Sequence, residues 1–180
     1  MRVIAGSARG VPLVAPRDRG TRPITDRVKE TLFGILGDRV PEARVLDLYA
    51  GSGAIGIEAL SRGASHATFV ERARGALVAL HRNLERTHLA AVARVEAADV
   101  ERFLREAPDE QWDLVFLDPP YEERAIVAPL RAVVPHLPPG AWLVVKHFWR
   151  TELPGVDGLE TVRQRRFGET MLTFWEAKNR

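Results

Sequence analysis

The sequence predicts an α/β fold built on a doubly wound, mostly parallel sheet. Three features carry that reading. Between residues 44 and 147, five short apolar runs alternate with four helical segments, the pattern of βαβ units covered on both faces. Three of the runs lead into glycines or acids on what would be one edge of the sheet, where such folds bind ligands. The tail then changes character, with two strand-like runs on either side of Gly168.

Taken in order, "RVIA" and "VPLVAP" are separated by the turn-like "GSARG" and predict a small N-terminal hairpin. "TRPITDRVKETLFGIL" reads as a loop entering a helix. Thr25 or Asp26 can cap it, and Val28, Leu32, Ile35 and Leu36 form an apolar stripe. "RVLDLY" (44–49) is the first strand and runs into "AGSG". "AIGIEALSRG" follows as a helix closed by Gly63. "HATFVE" (66–71), "ARVEAAD" (93–99), "WDLVFLD" (112–118) and "AWLVVKH" (141–147) are the next four strands. The helices between them fall at 73–88, near 100–106, and on the stripe Ile126, Leu130, Val133, Val134 and Leu137. "LETVRQRRF" and "ETMLTFWEA" form a C-terminal hairpin. The expected division is an N-terminal basic extension over 1–24 and a main domain over 25–180.

Composition narrows the class. At 180 residues the chain buries a real core. It has no cysteine, hence no disulfide framework and no thiolate metal site; no metal is expected. No apolar run approaches the roughly 18 residues of a membrane span, and the N-terminus lacks a signal peptide's apolar region. A cytoplasmic monomer without membrane contact is the expectation. The net charge is +2, but residues 1–30 hold seven basic side chains against three acidic ones, a surplus of four. Such a basic arm is either a nucleic-acid footprint or a solvated surface. Arginine greatly outnumbers lysine, as a thermophilic source or a GC-rich genome would each produce.

The glycine loop is the first candidate site. Gly51, Gly53 and Gly56 spell G-x-G-x-x-G directly after a strand and before a helix, the context that gives the motif weight. Glu71, twenty residues beyond Gly51, suits a pair of ribose hydroxyls. Asp99 could meet an adenine amino group, or be a surface carboxylate or helix cap. These features suit a nucleoside cofactor. A nicotinamide dinucleotide also has a pyrophosphate to hold, and Glu58 in the following helix argues against an anion there. Asp47 is either an acid facing the cradle or an acceptor for the loop amides. As a cradle acid it suits a cofactor carrying an ammonium and a sulfonium, which is S-adenosylmethionine.

The second candidate is "DPPY". An exocyclic amine on a nucleobase is a poor nucleophile because its lone pair is delocalised. Two acceptors against its N–H bonds favour the pyramidal, attacking geometry and stabilise the charge developing on nitrogen. Asp118 supplies a carboxylate oxygen and Pro119 a backbone carbonyl, with Pro119 and Pro120 holding the chain rigid. Tyr121 offers a face for a flipped-out base, worth roughly 1–3 kcal/mol. A strand stop with a packing aromatic is the plainer alternative.

These segments carry a closer likeness. "RVIAGSARGVPL", "RPITDRVKETLFGIL", "LDLYAGSGAIGIEALSRGA" and "VFLDPPY", in that order and spacing, resemble the RsmD family of bacterial 16S ribosomal RNA guanine-N2 methyltransferases, over about residues 1–145. The resemblance implies a Rossmann-like, class I S-adenosylmethionine-dependent methyltransferase fold with a seven-stranded sheet. It implies methyl transfer to the N2 amine of the guanine at RNA position 966, in an assembling or assembled small ribosomal subunit. By the same resemblance Thr25 to Arg27 border the pocket, Ala50, Gly51, Ser52, Gly53 and Gly56 cradle the methionine part, and Asp118, Pro119, Pro120 and Tyr121 form the catalytic loop. Arg9, Arg22 and nearby basic residues such as Arg27 would touch RNA. One departure stands out: an acid is expected after the fifth strand, where this chain has Lys146 and His147. Lys146 is read as an RNA phosphate contact or a plain surface lysine, and His147 as structural.

The rivals are an adenine-N6 methyltransferase of DNA or RNA, an NAD-dependent oxidoreductase, and a non-catalytic RNA-binding module. The first generally needs a target-recognition domain, for which 180 residues leave no room. The second leaves "DPPY" unexplained, and the third leaves both intact motifs without a purpose.

Overall fold

A computed structural model describes residues 1–16, 24–107, 109–119 and 124–178. The pattern of apolar runs becomes one seven-stranded sheet in the order β3-β2-β1-β4-β5-β7-β6. Its strands are β1 (Arg44–Leu48), β2 (His66–Glu71), β3 (Ala93–Ala97), β4 (Leu114–Leu117), β5 (Trp142–Phe148), β6 (Leu159–Phe167) and β7 (Thr170–Ala177). β1 to β5 run parallel, and β7 joins β5 antiparallel, followed by β6 at the edge. The fold class predicted from the sequence is the one observed.

Alternation along the strands assigns each helix to a face. In β4, Leu114 and Phe116 point to one side and Val115 and Leu117 to the other. The first side packs against α1 (Asp26–Leu36), α2 (Ala54–Ser61) and α3 (Arg74–Thr87), with Phe33 and Phe116 at a ring separation of 6.1 Å. The second packs against α4 (Val100–Glu106) and α5 (Arg124–Val133). Both faces of the central strands are therefore dry, which is why they read as continuous apolar runs rather than alternating ones.

Local signals set the helix ends. Thr25 caps α1, its hydroxyl accepting from the Val28 amide at 3.3 Å. Gly63, at φ +101°, lies one residue past the α2 cap Arg62, and its amide donates to the Leu60 carbonyl. The expected single helix up to Leu137 stops sooner. α5 ends at Val133, and the chain tightens into a 3₁₀ turn over Val134–His136, because Pro135 has no N–H to continue the ladder.

The N-terminal residues fold back as a short antiparallel pair, Arg2 opposite Pro12, with Val3 and Leu13 buried in the α1–α3 side of the core. Polar side chains of α2 and α3 hold this pair. Glu58 accepts from the amides of Ile4 and Ala5 at 2.8 and 3.0 Å, and also pairs with Arg62 and Lys29. Lys29 also donates to the Arg2 carbonyl, and Asn83 exchanges hydrogen bonds with both backbone groups of Val14. Lys29 and Glu58 are fully buried; with partners of both kinds neither is left as an uncompensated charge.

Candidate active site

Strand order reverses between β1 and β4: β1 leads outward to β2, while β4 leads to β5 on the other side. In such sheets the crevice beyond the carboxyl ends of these two strands receives the ligand. Leu48 and Leu117 are register partners there, and the Asp118 amide continues the ladder toward the Leu48 carbonyl. The N-terminus of α1 reaches the same edge. Its other end lies near Arg39, whose guanidinium sits 4.2 Å over the ring of Trp142 at the start of β5.

After β1 the chain turns through left-handed backbone at Tyr49, Gly51 and Gly53. The three motif glycines serve different ends. A Cβ on Gly53 would lie 2.3 Å from Leu80 Cδ1, and one on Gly56 would lie 2.3 Å from Phe69 Cε1, so both are required by core packing. A Cβ on Gly51 would meet nothing within 4 Å. Among the three, Gly51 is the one that opens toward space a ligand can use. Ser52 is buried, its carbonyl accepting from Asn83, and Ala50 is half-buried.

Asp47 is buried below this loop, and its Oδ2 accepts from the Gly56 amide in the first turn of α2 at 3.0 Å. Of its two sequence roles, loop acceptor is the one seen. Burial pushes its carboxyl up to about 8, against the Gly56 hydrogen bond and helped by the nearby charges of Asp118 and Glu71. Glu71 closes the loop from the other side: Oε2 accepts from the Gly51 amide at 2.9 Å, and Oε1 from the amides of Arg72 and Ala73. Oε1 is fully used by these two amides, while Oε2 retains a second lone pair. Asp99 lies past the end of β3, as the N-cap of α4, accepting from the amides of Glu101 and Arg102. Its other oxygen is 3.4 Å from Arg72. Tyr49, which sequence reasoning missed, is half-buried near Asp99; burial, with the charge of Asp99 next, pushes its hydroxyl up to about 12. Its left-handed backbone was not legible from composition.

Asp118 holds the other side of the crevice. Register places it opposite Lys146, one residue past the partners Leu117 and Val145. The Lys146 Nζ lies 2.9 Å from Asp118 Oδ1 and 2.7 Å from Oδ2, with the lysine side chain only 12% exposed. Lys146 is therefore not a surface lysine available for RNA phosphates. It is turned inward because the α1-side face of β5 puts its ammonium beside a carboxylate. Burial raises the Asp118 carboxyl above its usual range, and Lys146 opposes that rise. Pro119, the next residue, is buried.

Thr25 and Arg27 lie at the start of α1, Thr25 exposed, and Arg9 is exposed in the N-terminal turn. Arg22, Pro120 and Tyr121 lie outside the described residues. His147 is buried on the opposite face from Lys146, bonded to Thr173 and the Phe148 carbonyl, and burial lowers its pKa. Glu58 faces the N-terminal pair rather than the glycine loop, so its charge does not bear on the choice of cofactor. The group that does is Asp47, which already occupies an amide at the N-terminus of α2 where a pyrophosphate would seek donors.

Comparison with known proteins agrees with this arrangement. Residues 1–176 match the family model described as conserved hypothetical protein 95. The chain is 38% identical over 162 residues to ribosomal RNA small subunit methyltransferase D of Escherichia coli K12, covering 90% of this chain and 79% of that one. It is 38% identical over 183 residues to the YlbH protein of Bacillus subtilis 168, covering 99% and 100%. Among solved structures, the yhhF protein of Escherichia coli superposes with a TM-score of 0.89 at 34% identity, covering 100% of this chain and 99% of that one. A hypothetical protein of Thermus thermophilus gives 0.84 at 36%, covering 98% and 99%. With the family model matched over residues 1–176 and these relatives at 38% identity over most of the chain, the chain belongs to the conserved hypothetical protein 95 family, the family of the ribosomal RNA small subunit methyltransferase D enzymes.

Proposed function

We propose that this protein transfers a methyl group from S-adenosylmethionine to the exocyclic N2 amine of a guanine in 16S ribosomal RNA, the guanine at position 966. Its substrate is the small ribosomal subunit or an assembly intermediate. The observation that carries the reading is Asp118, set across the switch-point crevice from the glycine loop with both oxygens fixed by Lys146.

The residues present fit the cofactor. Gly51 leaves room beside the loop, Glu71 Oε2 keeps a lone pair for a ribose hydroxyl, and Asp99 and Tyr49 are the groups we assign to the adenine end. The amides of Gly56 and Gly51 are already engaged by Asp47 and Glu71, so a phosphate would find them taken, as suits a cofactor that carries none. When bound, S-adenosylmethionine supplies an electrophilic methyl group on a sulfonium.

The chain's own residues do the rest. Asp118 accepts an N–H from the target amine through a lone pair that Lys146 does not use, and the Pro119 carbonyl accepts the second. Together they draw the nitrogen toward a pyramidal geometry and stabilise the charge it develops. Lys146 keeps the carboxylate ionised and aimed, so little reorganisation is required as the base arrives. Once the nitrogen is substituted, its surplus proton leaves along the hydrogen bond to Asp118. Tyr121 stacks on the extruded base.

The test is methyl transfer from labelled S-adenosylmethionine to small subunits lacking the modification, beside naked 16S RNA and duplex DNA, with the product digested to nucleosides. N2-methylguanosine is expected with the wild type. Asp118→Ala should lose about 100-fold or more in kcat, the scale of removing one preorganised polar group, with cofactor affinity little changed. Label in N6-methyladenosine, or in no nucleoside, would overturn the assignment.

A further inference from the structure

Edge strand β6 carries the densest group of arginines in the described structure: Arg163, Arg165 and Arg166, all exposed. Their placement along and across the strand is not that of a general solvated surface. Register partners share a face of the sheet. Arg163 is opposite Phe174 and Arg165 opposite Leu172, and both partners belong to the α1 side of the core. Leu172 is in turn opposite Lys146, which pairs with Asp118. One row across the ligand edge therefore reads Arg165, Leu172, Lys146, Asp118. With strands about 4.8 Å apart, Arg165 stands three strands, or about 14 Å, from the carboxylate.

Charge is also polarised along β6. Asp157 and Glu160 lie at its far end, where Glu160 pairs with Lys178 at 3.5 Å. The three arginines occupy the half nearest the crevice, with Glu169 the acid beyond the turn. Neither Arg163 nor Arg165 pairs with a carboxylate among the described residues, whereas Arg2, Arg39, Arg62, Arg72, Arg94 and Arg102 all do. At the tip, the guanidinium groups of Arg166 and Arg150 lie over the Trp149 ring, 3.7 and 4.7 Å from its centroid. Protection of an edge strand from pairing asks for charge somewhere along it. It does not ask for one sign, at the catalytic end, on the face of Asp118.

We infer that the β6–β7 hairpin is a second RNA-backbone subsite, in which Arg163 and Arg165 hold phosphates of the strand flanking the target guanine, a few nucleotides from it. This rests on the RNA substrate proposed above. Arg9, the exposed arginine of the N-terminal turn, follows Ala8, which is buried on the same α1 side of the core, so it and the hairpin would hold the RNA from one side of the sheet. Arg166 and Arg150, already stacked on Trp149, stiffen the tip that presents them.

The experiment compares wild type, Arg163→Gln/Arg165→Gln, Arg163→Lys/Arg165→Lys, and Arg105→Gln/Arg131→Gln, which removes equal charge from α4 and α5 on the opposite face. Binding of naked 16S RNA is titrated against salt, and methylation of unmodified small subunits is measured beside it. Each phosphate contact contributes about −0.7 to the log–log slope for single strands, so the Gln pair should be shallower by about 1.4. Between about 50 and 200 mM salt the wild type should then lose about sevenfold more affinity than that variant. The Lys pair should keep the wild-type slope, and cofactor affinity should not change. A Gln-pair slope equal to wild type, or an equal change in the α4/α5 control, would overturn the subsite. Failure of the wild type to methylate any RNA would instead strike the proposed function, because the slopes are read from binding alone.

Discussion

Lys146 and Asp118 lie on neighbouring strands with the lysine ammonium within 2.9 Å of both carboxylate oxygens. The pair joins two opposed tendencies: burial favours the protonated acid, and the ammonium favours the carboxylate. A carboxyl that is to take up the surplus amine proton must be ionised, so Lys146 sets the pH at which Asp118 can work. Replacing it by Met leaves burial unopposed and moves the Asp118 pKa further up. The acid limb of the kcat–pH profile should then shift to higher pH. At pH 6, kcat should fall by about tenfold or more and recover as pH rises, one pH unit of displacement being a factor of ten. Lys146→Arg, which keeps a cation beside the acid, should restore the limb in part. An acid limb identical to wild type in Lys146→Met would show that the pair does not govern ionisation.

The two ends of the glycine motif should fail differently. Gly56→Ala places a methyl against Phe69, a ring buried in the core and unable to give way, and 3.1 Å from Asp47 Oδ2. Overpacking of this kind costs about 1–3 kcal/mol in stability. Gly51→Ala meets no neighbour but holds a left-handed φ of +56°, which costs about 1–2 kcal/mol for a residue with a Cβ. Its larger effect should fall on the cofactor, because the new methyl occupies the open side of the loop. Urea denaturation and cofactor titration separate the two. Gly56→Ala should chiefly lower the unfolding midpoint, and Gly51→Ala should chiefly weaken binding. Equal cofactor loss in both would place Gly56, too, on the ligand side.

The contrast marks what a sequence can and cannot carry. The strands and helices are legible because their apolar periods are local, and Thr25, Gly63 and Asp99 announce helix ends by residue type alone. Glu58 misleads when only its own helix is considered. Its partners Ile4 and Ala5 are more than fifty residues away, and nothing local signals them. Lys146 misleads for a related reason. A lysine at a strand end looks like a surface cation until the pairing of β4 with β5 is known. A usable signal is present, since the unbroken apolar runs of the two strands end at Leu117 and Val145, each followed directly by the charged partner. Turning that into a contact requires the register. The glycines mix both cases: the motif locates the loop, but whether each glycine faces core or ligand depends on Leu80 and Phe69, supplied by other elements.

Asp47 gives a prediction about stability rather than rate. Its carboxyl is pushed up to about 8 in the folded protein, chiefly by burial, while in the unfolded chain an aspartate titrates near 3.9. Between those two pH values the folded state holds a proton that the unfolded state has released. Stability from this group is therefore fully present below the unfolded value and is lost as pH rises toward 8. Asp118, also raised, acts in the same direction. Asp47→Asn keeps an oxygen to accept from the Gly56 amide and has no proton to lose. In urea titrations at pH 5, 6.5 and 8, the wild-type midpoint should fall with pH, and the Asn variant should fall less, gaining most on wild type at pH 8. Parallel declines in the two proteins would mean that Asp47 is already ionised across this range, held so by the Gly56 amide despite its burial.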